Sequence, residues 1–411
     1  LPKNYIEKLE NGVTLLGEEL DAVSSAAISI LIPSGAATDP KGLEGSANVL
    51  TEMLHRGAGP YDNEALSAEF EALGTQASHS AGIETTSIST TLLGENLPRA
   101  IELLSATILE PLLPEDELEN CTQLAFQELK SLEDEPSSKV MVELISDFYP
   151  SPFGRCQLGT VEGITNLKID SLRSYYKEQY VPTGVIIGVA GKFNWSEIKE
   201  KISQQLGGWN GKKELLTPGP LSKESSVRHI YKDTSQLQIA LAYPSVAAEH
   251  PDYYAARVAV NVLSGGMAGR LFIEVREKRG LVYRVSASHS AAKGRAAVFC
   301  YAGTTTERAE ETLQVMVQEL RKLAQGVSEE ELQRSKADLK SKIIMSSESS
   351  SARAGGLVSD YWSLGRIRSL SEIKERIDAV TSKDIERHLA EYPVNPMTLV
   401  TLGQKGLELP K

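Results

Sequence analysis

Cysteine is scarce in this 411-residue chain: three residues, Cys121, Cys156 and Cys300, odd in number and far apart. That excludes a disulfide framework, a zinc ribbon and a CxxC redox pair, and leaves buried or free thiols. No apolar run approaches the roughly 20 residues that cross a bilayer, so no transmembrane segment is expected. Positive charge is short as well: 43 Lys and Arg against 55 Asp and Glu give a formal net charge of −12. Nucleic-acid binding rests on a basic face, so nucleic acid is not expected as the main partner. The opening, Leu1-Pro2-Lys3, lacks an initiator Met, which fits the removal of a targeting segment.

What is present is the composition of a globular chain, 41% hydrophobic and 24% charged, long enough for two or three domains. The sequence is also written twice. Pro33-Ser34 falls on Pro244-Ser245 and Pro40 on Pro251, Leu118 falls on Leu332, and Leu172 falls on Ile385, all at a nearly constant offset. Three matched segments in one order predict two domains of one fold, 1–206 and 227–411. Between them, 207–226 is rich in Gly, Pro, Ser and Lys and has no periodicity, so it reads as a linker. Each half opens on an apolar strand, runs through a helix, further strands and long helices, and closes on a short apolar strand. The predicted class is α+β, with helices packed on an antiparallel-rich sheet in each domain.

Residues 45–59 read GSANVLTEMLHRGAG. Asn48, Thr51, Glu52 and His55 fall at i, i+3, i+4 and i+7, one polar line down a helix. Ala47, Val49, Leu50, Met53 and Leu54 flank it. A helix this apolar is normally buried, so the line faces either solvent or a site.

With its neighbours, "SGAATDPKGLEGSANVLTEML" before and "GGMAGRLFIEVREKRGLVY" in the second half, this stretch resembles the zinc peptidases of the pitrilysin and mitochondrial processing peptidase group, in their short-chain bacterial-type branch. The resemblance spans nearly the whole chain. In active members the first block carries H-x-x-E-H: two His bind zinc and the Glu between them activates the metal-bound water. Here Asn48 and Glu52 take the two His positions, and Thr51 takes the position of the catalytic Glu. A further family Glu ligand falls on Glu128. Asn is a poor zinc ligand and Thr is no general base near neutral pH. The resemblance therefore implies a degenerate metal site with no metal in this chain. The carboxylates that remain, Glu52 and Glu128, suit a hard cation better than zinc, and an improvised site of Glu52, His55 and Glu128 is the alternative.

The second half keeps more. "LFIEVREKRGLVYRV" reads as a helix ending near Lys278, capped by Gly280 and followed by a strand. The Gly-rich "LSGGMAGRLF" before it lacks a P-loop pattern and is expected to be a tight turn beside the substrate chamber. The resemblance gives Arg276 and Tyr283 the role of binding substrate backbone and the developing oxyanion from opposite the zinc. It also aligns Ser78 and His79 with an Asn-Ala pair on a substrate-binding edge strand. In the short-chain branch two such chains pair, one supplying zinc and the other Arg and Tyr. The expected function is thus the non-catalytic subunit of a heterodimeric zinc peptidase acting on peptides. Its partner would be a homologous H-x-x-E-H chain that holds the zinc. Alternatives are a scaffold subunit like the core subunits of respiratory complex III, and a zinc-free homodimer that binds peptides without cutting them. The compartment stays open, with bacterial cytoplasm or periplasm favoured over an organelle.

Overall fold

Unbroken apolar runs become strands buried on both faces, whereas alternating runs become strands buried on one. Ser25–Ile32 is buried along almost its whole length, as is Gln236–Pro244; Thr86–Leu93 alternates buried and half-buried positions. The structure, a computed structural model, describes residues 3–410. Its first sheet is built from β1 (Lys3–Lys8), β2 (Thr14–Glu19), β3 (Ser25–Ile32), β4 (Gln76–Ala81), β5 (Thr86–Leu93) and β6 (Ile186–Gly191). Its second contains β7 (Ser226–Tyr231), β8 (Gln236–Pro244), β9 (Val282–Ala292), β10 (Arg295–Thr305) and β11 (Thr398–Gly403).

The strand orders are β1-β2-β6-β3-β5-β4 and β9-β10-β8-β11-β7. Apart from β1, the two sheets have one topology. In each, the closing strand inserts beside the opening one as a parallel pair, and the remaining pairings are antiparallel. The α+β class and the antiparallel-rich sheets follow the sequence reading, and each sheet has its own hydrophobic core.

The compact units differ from the sequence halves in two respects. Unit 1 runs to Ser131 and adds Ser151–Leu216 and Ser346–Arg366; unit 2 takes Leu132–Pro150, Thr217–Met345 and the chain from Ile367 onward. Six helices matter here: α1 (Ser46–Met53), α2 (Leu118–Asp134), α3 (Pro136–Phe148), α4 (Tyr253–Ser264), α5 (Glu329–Ser346) and α6 (Ser350–Leu364). Helix α3 comes from the first half and packs on β8 and β11 of unit 2; α6 comes from the second half and packs on β3 and β6 of unit 1. The approach of α6 is close. Ala27, Ala190 and Ala354 meet as a small-residue cluster. A Cβ on Gly188 would lie 2.7 Å from the Ala354 carbonyl oxygen, which only glycine avoids. An amphipathic stripe dictates that a helix cover a sheet, not which sheet. The linker divides as well: Lys213 Nζ donates to the carbonyls of Pro33 and Gln179 at 2.6 Å each, pinning its first part to unit 1.

Helix α1 is preceded by Gly45 in the N-cap position, which has φ +115° and no side chain to cap the helix. Asp39 does that work instead. Its carboxylate accepts from the amides of Gly45 (2.7 Å) and Ala47 (2.8 Å), and Arg155 donates to the Asp39 carbonyl at 2.6 Å. Burial pushes the Asp39 carboxyl up to about 6 against the opposing pull of those amides. Asp39→Ala is expected to cost about 1–2 kcal/mol of stability, as loss of an N-cap does. Urea unfolding would check it, with an unchanged midpoint as the contrary result.

Candidate functional site

Helix α1 is shorter than the polar line drawn on it. It ends at Met53, so His55 lies in the turn beyond. Thr51 also leaves the line: it is 1% exposed, and its hydroxyl donates to the Ala47 carbonyl one turn back at 2.7 Å. The hydroxyl thus bonds its own helix, as mid-helix Thr often does. What α1 presents outward is Asn48 and Glu52.

Both have partners. Asn48 Nδ2 donates to Glu128 Oε2 of α2 at 2.9 Å, so two positions separated by 80 residues meet at this site. Glu52 Oε1 lies 3.0 Å from His79 Nε2 of the edge strand β4. The hydrogen bond from His79 holds the Glu52 carboxyl below the usual carboxylate range, against the effect of burial. The His55 ring stacks on His79 with centroids 4.0 Å apart, and its buried Nε2 has no hydrogen-bond partner. Burial, reinforced by His79, pushes His55 down to about 4, so it is neutral near pH 7. Ser78, next to His79, is exposed.

This donor set does not fit zinc. The two imidazole positions hold an amide and a carboxylate already bonded to His79, and the hydroxyl of Thr51 is turned inward. Glu128 is drawn to Asn48 rather than to Glu52 and His55, so the improvised trio does not assemble. Among the described residues, no three His, Cys, Asp or Glu side chains are placed to hold a metal ion. None of the three cysteines is in a disulfide, and Cys121 and Cys300 are buried.

In unit 2, the segment expected to be an ordinary helix end is a π-turn, Phe272–Glu277. Lys278 N bonds Ile273 O at 2.9 Å, and the chain then reverses at Gly280, whose φ of +59° is the left-handed conformation that glycine tolerates. Such turns recur at functional sites. The next strand starts with a second irregularity, a bulge between Val282 and Arg284 that falls on Tyr283. A bulge re-aims a side chain, and Tyr283 stands 82% exposed. The Arg276 guanidinium lies over two rings, 5.0 Å from Phe272 and 5.6 Å from Tyr283. Its cationic neighbours Lys278 and Arg279 both bind Glu274, at 2.6 and 2.9 Å. Arg276 forms no ion pair among the described residues, so its N–H groups stay available. The preceding Gly-rich stretch is a turn, with Gly266 at φ +119° and Met267 77% exposed.

The family resemblance pointed to Arg276, Tyr283, Asn48 and Glu128. It missed Phe272, the platform one turn before Arg276, although an aromatic at i−4 to a cation is a readable signal. It also missed the pairing of His79 with Glu52, for which no local pattern exists.

Two family profiles match the chain. Residues 16–160 match the insulinase family, peptidase family M16, and residues 166–339 match the peptidase M16 inactive domain. The uncharacterized zinc protease YmxG of Bacillus subtilis is 28% identical over 401 residues, covering 97% of each chain. A protease from Helicobacter pylori superposes with a TM-score of 0.90 at 21% identity, over 98% of this chain and 100% of that one. A peptidase M16 inactive domain from Pseudomonas fluorescens superposes with a TM-score of 0.85 at 21% identity, over 99% and 100%.

Proposed function

Because the chain belongs to the M16 peptidase family, we propose that it is the non-catalytic subunit of a heterodimeric zinc peptidase. It completes the site of a homologous partner that carries H-x-x-E-H and the zinc. The observation that carries this reading is an asymmetry. The polar groups of α1 are bonded to their own neighbours, whereas Arg276 is held on two aromatic rings with its donors uncommitted. The zinc, bound in the partner, would supply an activated water and polarise the scissile carbonyl. This chain's part is to donate. The Arg276 guanidinium and the Tyr283 hydroxyl give hydrogen bonds to the substrate backbone and to the carbonyl oxygen as it gains negative charge. A planar, permanently charged fork fixed by stacking needs little reorganisation to do so. Strand β4, with Ser78 and His79 on it, adds an edge to which an extended peptide pairs.

The test begins with the chain alone. Elemental analysis is expected to find no stoichiometric zinc, and no chelator-sensitive peptide hydrolysis is expected. About one zinc per chain, or turnover by the isolated chain, would overturn the proposal. Mixed with a zinc-bearing homologue from the same source, the chain is expected to form a complex that cuts peptides faster than the homologue alone.

A further inference from the structure

Three cations crowd one turn of an otherwise acidic chain: Arg276, Lys278 and Arg279 lie within four residues, just ahead of the reversal at Gly280. All three are exposed. A peptide with acidic side chains could pair with any of them, and each pairing would set a different register.

Glu274 sorts the three. Its Oε1 accepts from Lys278 Nζ at 2.6 Å and its Oε2 from Arg279 Nη1 at 2.9 Å, so each carboxylate oxygen holds one cation. Arg279 Nη1 donates as well to the Glu274 backbone carbonyl at 2.6 Å. The π-turn makes this double hold possible. In an α-helix the neighbours of residue i are i+3 and i+4, which here are Glu277 and Lys278. In a coil with i→i+5 bonds, such as that from Lys278 N to Ile273 O, the neighbours become i+4 and i+5, which are Lys278 and Arg279. The wider turn thus replaces a carboxylate with a second cation. Glu277 pairs with none of the three cations among the described residues. Lys278, and after it Arg279, hold the Glu274 carboxyl below the usual carboxylate range, so it stays charged. Arg276 is left out of this arrangement and lies over the rings of Phe272 and Tyr283.

We propose that Glu274 is a positioning residue, which withdraws Lys278 and Arg279 from the peptide so that Arg276 alone meets it. This role rests on the reading of Arg276 given above and adds a rule of register to it. Specificity of this kind suppresses wrong modes instead of strengthening the right one. Without Glu274, acidic side chains of a peptide pair with the two released cations and the scissile bond sits away from Arg276. The kinetic mark of such nonproductive binding is a fall of kcat and KM by the same factor, with kcat/KM unchanged. Loss of a merely structural contact lowers kcat/KM instead.

The first arm of the test uses the full chain alone. A labelled peptide of six glutamates is the probe, followed by fluorescence anisotropy. Glu274→Gln is expected to tighten its binding about tenfold, the scale of one charge-assisted hydrogen bond. The gain should vanish in 1 M salt, where the Debye length is about 3 Å. It should vanish too in the triple variant Glu274→Gln, Lys278→Gln, Arg279→Gln. The second arm uses the complex with the zinc-bearing subunit and an acidic peptide substrate. Glu274→Gln should lower kcat and KM together, and the triple variant should restore both. Lys278→Gln with Arg279→Gln, on the native Glu274, should leave kcat/KM unchanged. No gain in affinity, a gain that survives in the triple variant, or a loss of kcat/KM that the triple variant does not restore would each overturn the role of Glu274. Failure of the reading of Arg276 shows separately, as an unchanged kcat in Arg276→Ala, and leaves the anisotropy arm to decide on Glu274.

Discussion

Arg276→Ala, reconstituted with the zinc-bearing subunit, is expected to lower kcat by about 10²–10³, the usual cost of losing one oxyanion donor. The complex should still assemble, since the role assigned to this side chain is to donate to substrate. A loss confined to KM would mean that it holds ground state and transition state alike. Tyr283→Phe separates two roles of the tyrosine. It keeps the ring that lies 5.6 Å from the guanidinium and removes only the hydroxyl. A fall in kcat comparable to that of Arg276→Ala makes the phenol a donor; an unchanged kcat reduces it to a platform. Arg276→Lys should not rescue, because an ammonium has neither the fork nor the plane that stacks. Intact complexes with unchanged kcat and KM in both Arg276→Ala and Tyr283→Phe would favour a scaffold.

Arg270→Ala is expected to be the most destabilising surface-charge removal in unit 2, by about 2–3 kcal/mol. Arg270 meets Glu331 at the start of α5 through two bonds, 2.7 and 2.9 Å, and both side chains are under one-fifth exposed. The hydrogen bond from Arg270 draws the Glu331 carboxyl from 4.5 down to about 2. The folded value lies below the unfolded one, so the stabilisation is complete above about 4.5 and is lost as pH falls toward 2. Wild-type unfolding free energy should therefore decline more steeply than that of Arg270→Ala across this window. The repeat supplies an internal control. Arg56 and Glu117 occupy the equivalent positions of unit 1, but stand 3.9 Å apart. Arg56→Ala should cost less, because at 3.9 Å no hydrogen bond joins the pair. Equal losses in the two variants, measured by denaturant titration, would contradict the geometric argument.

Much of this architecture could be read beforehand because duplication writes the same pattern twice. The apolar runs at 25–32 and 236–244 announced buried central strands, and matched Pro and Leu positions announced two units of one fold. The family resemblance also chose Asn48 and Glu128, which do meet. What stayed hidden depends on contacts far apart in sequence, or on backbone states with no composition of their own. Helix α3 shows the same amphipathic stripe whichever sheet it covers. Thr51 turns inward because its hydroxyl finds the Ala47 carbonyl, and nothing in the letters forbade the outward alternative. A π-turn at 272–277 and a bulge at Tyr283 look, residue by residue, like an ordinary helix end and strand start.

The crossing of α3 and α6 between the units bears on how a ribosome delivers this protein. The first sheet needs Ser346–Arg366 to cover Ala27, Gly188 and Ala190, yet its last strand and the start of the linker emerge by Leu216. At about 5–20 residues per second, the interval from Leu216 to Arg366 lasts roughly 8–30 s. For that time an apolar sheet face waits without its helix, and α3 waits without a sheet. Neither unit can close as an early, independent product of synthesis. The nascent chain is therefore expected to hold on to chaperones until its second half has nearly left the exit tunnel.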